Sequence, residues 1–227
     1  MTDTTADREA RLRRTMVEIG RQMQATALVC AAEGNLSVRL GTERLLCTPS
    51  MLRKGELSPD DLVITDLAGA RICGTREPSS EIRMHVEIYR RRPDVRAVVH
   101  AHPITATAFT VAGLALDIPM MPETVVVLDR IPTAPYGMPG GPELPATLAG
   151  IIETHDVVML DHHGAVACGV DLWDAYNKME TLEKHARIAA EAMRLGGVVP
   201  LPEREVQRLA DYRRDVYLPK VRRLADG

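Results

Sequence analysis

The apolar positions Leu12, Met16, Ile19, Met23 and Ala27 recur every three or four residues between Asp7 and Leu28. That period gathers them on one stripe of an amphipathic helix. Gly34-Asn35 breaks the stripe, and short apolar runs follow at Leu36–Leu40, Leu45–Thr48 and Asp61–Asp66. The Gly41-Thr42-Glu43 spacer predicts a hairpin for the first two. Pro78-Ser79-Ser80-Glu81 predicts a helix start, with serine as cap and Glu81 in the favourable field of the first turn. Pro93 ends that helix near Arg92. Arg96–His102 reads as a buried strand centred on Ala97-Val98-Val99, followed by a helix from Pro103 to about Gly113. Thr124–Ile131 predicts another strand, Tyr136–Pro142 a glycine- and proline-rich loop, and the stretch up to Glu153 a helix. Val157–Leu160 and Ala165–Cys168 predict two strands split by His162-His163-Gly164, and Leu172–Leu195 and Glu203–Tyr217 predict long helices. Strands mixed with helices in this order predict one α/β domain with a central sheet covered on both faces. The early hairpin argues against an all-parallel sheet. Residues 1–6 are polar and expected to be flexible, leaving 7–227 as the domain.

Composition narrows the functional classes. A formal net charge of -3 argues against nucleic acid or an anionic membrane as the main partner. Aromatic residues make up 3%, too few for a base-stacking platform, so the core is aliphatic with 11 methionines to fill its gaps. The four cysteines show no CxxC spacing, which fits a reducing compartment. The first residues lack a signal-peptide pattern, and no apolar run reaches the roughly 18 residues needed to span a bilayer. A cytoplasmic location is the expectation.

The chemistry concentrates in histidines. In His100-Ala101-His102 the two imidazoles sit at i and i+2 of a strand, so they share a face and form a ready chelate for a divalent metal. Two histidines can also simply end a strand. His163, before Gly164 at the end of another apolar run, is the candidate third ligand, and Glu81 is the carboxylate to visit the open fourth position. Glu81 reads equally as a helix-capping acid. His162 points away from His163 in an extended segment and suits a supporting or packing role. His85, His155 and His185 lie among charged residues and are expected to be solvated or locally paired. Gly34-Asn35-Leu36-Ser37, Thr48-Pro49-Ser50 and Ser79-Ser80 are turn and cap segments whose N–H groups and hydroxyls can also face an anion.

Taken in order, GNLS, TPS, PSSE, VVHAHP and LDHHG resemble the class II aldolase/adducin family, and most closely its fuculose-phosphate aldolase branch. The resemblance spans about residues 10–215. It implies a single-domain α/β/α sandwich with a mixed, largely antiparallel sheet, a homotetramer, and a zinc ion (or Co2+ or Mn2+) held by His100, His102 and His163. It makes Glu81 the catalytic acid/base as well as a metal ligand. Gly34, Asn35, Thr48, Ser50, Ser79 and Ser80 match the family's phosphate-binding positions, and Tyr217 is the nearest match to a catalytic C-terminal tyrosine. The implied reaction is cleavage of a 2-ketose 1-phosphate, through an enediolate, to dihydroxyacetone phosphate and an aldehyde. Related scaffolds serve as pentulose-phosphate epimerases, sugar-acid-phosphate decarboxylases, methylthioribulose-1-phosphate dehydratases and non-catalytic adducin-like modules. Two departures stand out. Met51 replaces the glycine after TPS, and Met120-Met121-Pro122-Glu123 replaces a segment that carries a tyrosine in that branch. With Met138, these methionines suit either an apolar end pocket or the core. All four lysines lie outside these motifs, which argues against a Schiff-base aldolase.

Overall fold

The computed structural model describes residues 4–226. Thr4 opens helix α1 (Thr5–Ala25): its hydroxyl accepts from the Asp7 N–H, and the Asp7 carboxylate accepts from the Thr4 N–H. This reciprocal cap moves the helix start ahead of Asp7, to Thr5; residues 1–3 of the expected flexible end lie outside the described residues.

Eight strands form one sheet: β1 (Asn35–Leu40), β2 (Arg44–Cys47), β3 (Val63–Asp66), β4 (Arg71–Cys73), β5 (Ala97–Ala101), β6 (Thr133–Ala134), β7 (Val157–Leu160) and β8 (Gly164–Gly169). Their order is β4-β3-β2-β1-β5-β8-β7-β6. Neighbours are antiparallel except β6 and β7, which are parallel. The helices are α2 (Ile82–Arg91), α3 (Ile104–Val111), α4 (Pro122–Val127), α5 (Glu143–Thr147), α6 (Leu172–Arg194), α7 (Glu203–Tyr212) and α8 (Leu218–Asp226).

Strand alternation divides the core into two layers. Ala97, Val99 and Ala101 of β5 join Met16, Ile19 and Met23 of α1, Phe109 of α3 and Met179 and Leu182 of α6. Val98 turns to the opposite face, against Met84, Ile88 and Tyr89 of α2 and Leu144 of α5. Each such aliphatic side chain contributes about 1.5–3 kcal/mol when fully buried. The product is the α/β/α sandwich, with β5 central and lined on both faces.

Three expectations about elements are corrected. Thr124–Ile131 is not a strand: residues 122–127 form α4, with Pro122 in its first turn and Leu128 N–H bonded to Thr124 C=O at 2.8 Å. Pro122 fits a first turn because it has no N–H to lose, and burial of Thr124 and Val125 overrides their strand preference. The helix expected up to Glu153 ends at Thr147 and continues as turns. The helix expected to end at Tyr217 passes through a wider π-type turn at Arg213–Tyr217 and carries on as α8. The short strands β4 and β6 have no readable alternation in the sequence. The four cysteines are free thiols, and among the described residues no helix is long and apolar enough to cross a membrane.

Candidate metal centre and active site

Register builds the site. Asn35 of β1 pairs with His100 of β5, so their side chains stand side by side on one face. Gly34 makes that approach possible: at φ +68, a Cβ there would lie 2.5 Å from Val29 Cγ1 and 2.8 Å from the His100 carbonyl oxygen. His100 Nδ1–H donates to the Ala165 carbonyl at 2.9 Å, which turns the Nε2 lone pair toward the site. His102 follows the end of β5. The chain is fixed there by Glu183 of α6, which accepts from the N–H groups of Thr105 and Ala106 at 3.0 Å each and caps α3. His163 arrives from the β7–β8 turn. Gly164 lets that turn pass, since a Cβ there would lie 2.8 Å from His102 Cδ2.

The three imidazoles converge. Their ring centroids are 4.8 to 4.9 Å apart. His100 Nε2 and His102 Nε2 are 3.0 Å apart, and one nitrogen from each of the three rings falls within 4.8 Å of the others. A tetrahedral zinc with Zn–N of about 2.0–2.1 Å needs ligand nitrogens about 3.3 Å apart, so the set fits such an ion. Burial pushes His102 and His163 down to about 4, assisted by His100 and opposed by Glu81. They are therefore neutral, the ligand form, at pH 7.

Glu81 completes the cluster. It stands at the start of α2, yet its side chain makes no cap hydrogen bond. Ser79 does that work, its hydroxyl accepting from the Glu81 N–H at 3.3 Å. The Glu81 carboxylate lies 3.2 Å from His100 Nε2 and 3.3 Å from His163 Nε2, and it accepts from Asn35 Nδ2 at 2.9 Å. Burial acts to raise this carboxyl, but His100, His163 and Asn35 together hold it well below the usual carboxylate range. Glu81 Oε1, Asn35 Oδ1 and His163 Nδ1 are buried without hydrogen-bond partners. Buried polar atoms left without hydrogen bonds beside three converging imidazoles are what a bound cation or substrate would help to satisfy.

The candidate phosphate segments also assemble. Ser79 N–H bonds to the Thr48 carbonyl at 3.3 Å, and Ser50 N–H to the Glu77 carbonyl at 3.0 Å, which joins the TPS and PSSE loops. Ser50 and Ser79 are half-buried and Ser80 is exposed, whereas Thr48 is fully buried. The Thr48 hydroxyl accepts from Leu36 N–H at 3.1 Å, so Thr48 ties β1 to the loop from behind.

Other expectations change. Tyr217 does not join Glu81 within this chain; its charged neighbours are Asp174, Lys178, Arg213 and Asp156, at the other end of β5. His85 and His185 are buried, not solvated. The His85 Nδ1 is 2.6 Å from Ser37 Oγ, which also meets Tyr89 OH at 2.9 Å, and His185 is paired with Thr124 and the Leu116 carbonyl. His155 Nδ1 is locally paired, 2.9 Å from the Ile151 carbonyl. His162 is exposed, its Nδ1 2.8 Å from Asp161 Oδ1. Met120 packs on the larger core cluster, while Met138 is exposed. One residue was missed altogether: Lys54, written as part of a polar Arg-Lys-Gly-Glu run, is 1% exposed and feels the charge of Glu81.

Residues 14–190 match the Class II Aldolase and Adducin N-terminal domain, and the protein belongs to this family. A 3-oxo-tetronate 4-phosphate decarboxylase of Haemophilus influenzae is 33% identical over 178 residues, 76% of this chain and 84% of that protein. A 5-deoxy-D-ribulose 1-phosphate aldolase of Bacillus thuringiensis serovar kurstaki is 33% identical over 201 residues, 87% of this chain and 93% of that protein. A solved L-fuculose 1-phosphate aldolase superimposes with a TM-score of 0.82 at 30% identity, covering 88% of this chain and 95% of its own.

Proposed function

We propose that the protein is a metal-dependent aldolase that cleaves a 2-ketose 1-phosphate, such as L-fuculose 1-phosphate or a 5-deoxyribulose 1-phosphate, to dihydroxyacetone phosphate and an aldehyde. The observation that carries this reading is the buried Glu81 carboxylate, 3.2 and 3.3 Å from two imidazoles of a three-histidine cluster. A divalent ion such as zinc, held by His100, His102 and His163, supplies Lewis-acid polarisation of the substrate carbonyl. Glu81 moves the proton at the carbon beside that carbonyl, and Asn35 aims the carboxylate through its 2.9 Å hydrogen bond. Gly34, Asn35, Ser50, Ser79 and Ser80 offer N–H groups and hydroxyls to the phosphate, which anchors the carbon chain across the site. The face of α3 with exposed Ile104 and Val111, near His163, supports assembly with further copies, as in a homotetramer. A neighbour's tail is then the expected source of an acid on the aldehyde side.

Decarboxylation of a 3-oxo sugar-acid phosphate is the second reading. It is supported by the 33% identity with the 3-oxo-tetronate 4-phosphate decarboxylase of Haemophilus influenzae. Product analysis separates the two. Purified protein incubated with ketose 1-phosphates should release dihydroxyacetone phosphate, lose that activity to chelator, and regain it with zinc, cobalt or manganese. Release of carbon dioxide from a 3-oxo-tetronate 4-phosphate without aldol cleavage would favour the second reading, and full activity in metal-free protein would sink both.

A further inference from the structure

Lys54 is a buried cation that the reading above does not use. Its side chain lies under the two loops that carry the candidate phosphate donors. Nζ donates to the Ala32 carbonyl at 3.0 Å and to the Leu52 carbonyl at 2.7 Å. Ala32 belongs to the loop that ends in Gly34-Asn35, and Leu52 to the loop that begins at Thr48-Pro49-Ser50. Each loop holds a residue other than glycine in the left-handed region, Ala31 at φ 48 and Met51 at φ 61. Such conformations persist only where the surroundings fix them. The lysine is fixed in turn: a Cβ on Gly20 of α1 would meet the Lys54 carbonyl oxygen at 2.5 Å, and the adjacent Gly55 N–H donates to Gln24 Oε1 at 2.8 Å.

The charge is the unusual part. Among the described residues no carboxylate lies within ion-pair distance of this ammonium, although it is almost wholly buried. Burial pushes it down to about 8, with Glu81 acting the other way. Two of its three N–H donors are taken by carbonyls, which carry no countercharge. The residues placed at the phosphate, Gly34, Asn35, Ser50, Ser79 and Ser80, are all neutral. A buried cation with no carboxylate in ion-pair contact is bonded to the same two loops that carry the neutral candidate phosphate donors, and surroundings of low polarity strengthen its interaction with an anion there.

We propose that Lys54 is the positioning residue of the phosphate subsite: it fixes the two donor loops and supplies the positive charge that a phosphate dianion meets there. The proposal rests on the sugar-phosphate reading. The test uses inorganic phosphate with the zinc-loaded full chain and compares Lys54→Met, which removes charge and donors, with Lys54→Arg, which keeps both. Lys54→Met should raise the phosphate Kd by ~30-fold, the scale of a lost charge-assisted contact. It should raise KM for the phosphorylated substrate in proportion, leave kcat within about threefold and leave zinc at one per chain. Lys54→Arg should recover most of the affinity. A merely structural lysine would lower the melting temperature of the folded variant and leave the phosphate Kd alone, which would overturn the proposal. Should Lys54→Met not fold, wild-type protein labelled with 15N-lysine decides. The Lys54 Nζ resonance should shift saturably with phosphate at the same Kd, and an unmoved resonance under saturating phosphate overturns the proposal. Wild-type protein that binds no phosphate would remove the sugar-phosphate reading and this inference with it, whereas wild-type binding with an unaffected Lys54→Met removes this inference alone.

Discussion

Strand β5 carries buried ionisable groups at both of its ends, and the two ends are built on opposite rules. At one end Asp156 is surrounded by cations, with Arg92 at 2.9 Å, Lys178 at 3.0 Å and Arg213 at 3.3 Å. Lys178 also meets Asp174 at 2.9 Å and the Cys168 carbonyl at 2.9 Å. A cavity of about 490 Å³ opens there, yet these charges face partners of opposite sign from within the fold. At the other end His100, His102, His163 and Glu81 bring acceptors and lone pairs together, and among the described residues Glu81 Oε1, Asn35 Oδ1 and His163 Nδ1 are buried without a hydrogen-bond partner. A buried polar cluster that satisfies itself holds a fold together. A cluster that leaves buried polar atoms without hydrogen bonds is shaped for something else to enter. A cavity of about 580 Å³, lined in part by His102 and His163, opens at this end.

That contrast can be broken by substitution. Asp156→Ala should have the largest effect, because three cations then lose a shared anion; breaking a buried pair costs about 3–5 kcal/mol. The urea midpoint should fall accordingly, and the zinc content of the folded fraction should not change. Unchanged stability would mean that the Asp156 end is not the structural one. Glu81→Gln should do the reverse: turnover falls by ~100-fold or more, the scale of a lost proton-transfer group, while zinc and the melting temperature are retained. Solvent exchange of the dihydroxyacetone phosphate proton, which needs no aldehyde, should fall in parallel. Exchange at the wild-type rate would remove Glu81 from the mechanism. Glu123 of the Met120–Glu123 segment is no substitute base, since it forms a surface pair with Lys184 at 3.1 Å.

Acid should separate the two ends in metal-free protein. His102 and His163 are pushed by burial to about 4, and His85 to about 3, from an ordinary 6.5. The unfolded chain takes up these protons first, so their contribution is intact above pH 6.5 and lost as pH falls toward 4. Asp156 is held down to about 2 from 3.8 by Lys178 and Arg92, against the opposing effect of burial. Its contribution is intact above pH 3.8 and lost as pH falls through about 2. Urea midpoints across this range should decline in two stages, and removing His163 should flatten only the first. A midpoint constant from pH 6.5 to 4 would mean that the imidazoles are not held neutral. The smallest effect belongs to Met51, which is 84% exposed and left-handed at φ 61. Met51→Gly should stabilise the protein by about 1 kcal/mol, measurable as a higher melting temperature.

The histidine end was largely legible in the sequence, and the Asp156 end was not. His100-Ala101-His102 is a local pattern, because the period of a strand alone puts both rings on one face. Ser79-Ser80-Glu81 marks a helix start with a serine cap by local rules as well, although only the structure shows that Ser79 is that serine and that the glutamate is turned to His100 and His163. Asp156 draws its partners from residues 92, 178 and 213, separations that no periodicity reports. Thr124–Ile131 misled for a related reason: its β-branched run has the composition of a strand, and burial of Thr124 and Val125 made residues 122–127 a helix.

The sequence by itself determined the alternation of β5, the long amphipathic helices, the paired histidines of that strand and the family to which these motifs belong, since each is written in spacing over a few residues. Tertiary structure alone decided the register that sets Asn35 beside His100, the capping of α3 by Glu183, and the placement of Tyr217 away from Glu81. It also decided that Lys54, of which the sequence says only that it lies outside the motifs, is buried and bonded to the carbonyls of two loops, with no carboxylate in ion-pair contact among the described residues. The physical reason is common to all of these. Local spacing fixes which face a side chain takes, whereas its dielectric surroundings and its partners come from segments distant in the chain, and those exist only once the chain has folded.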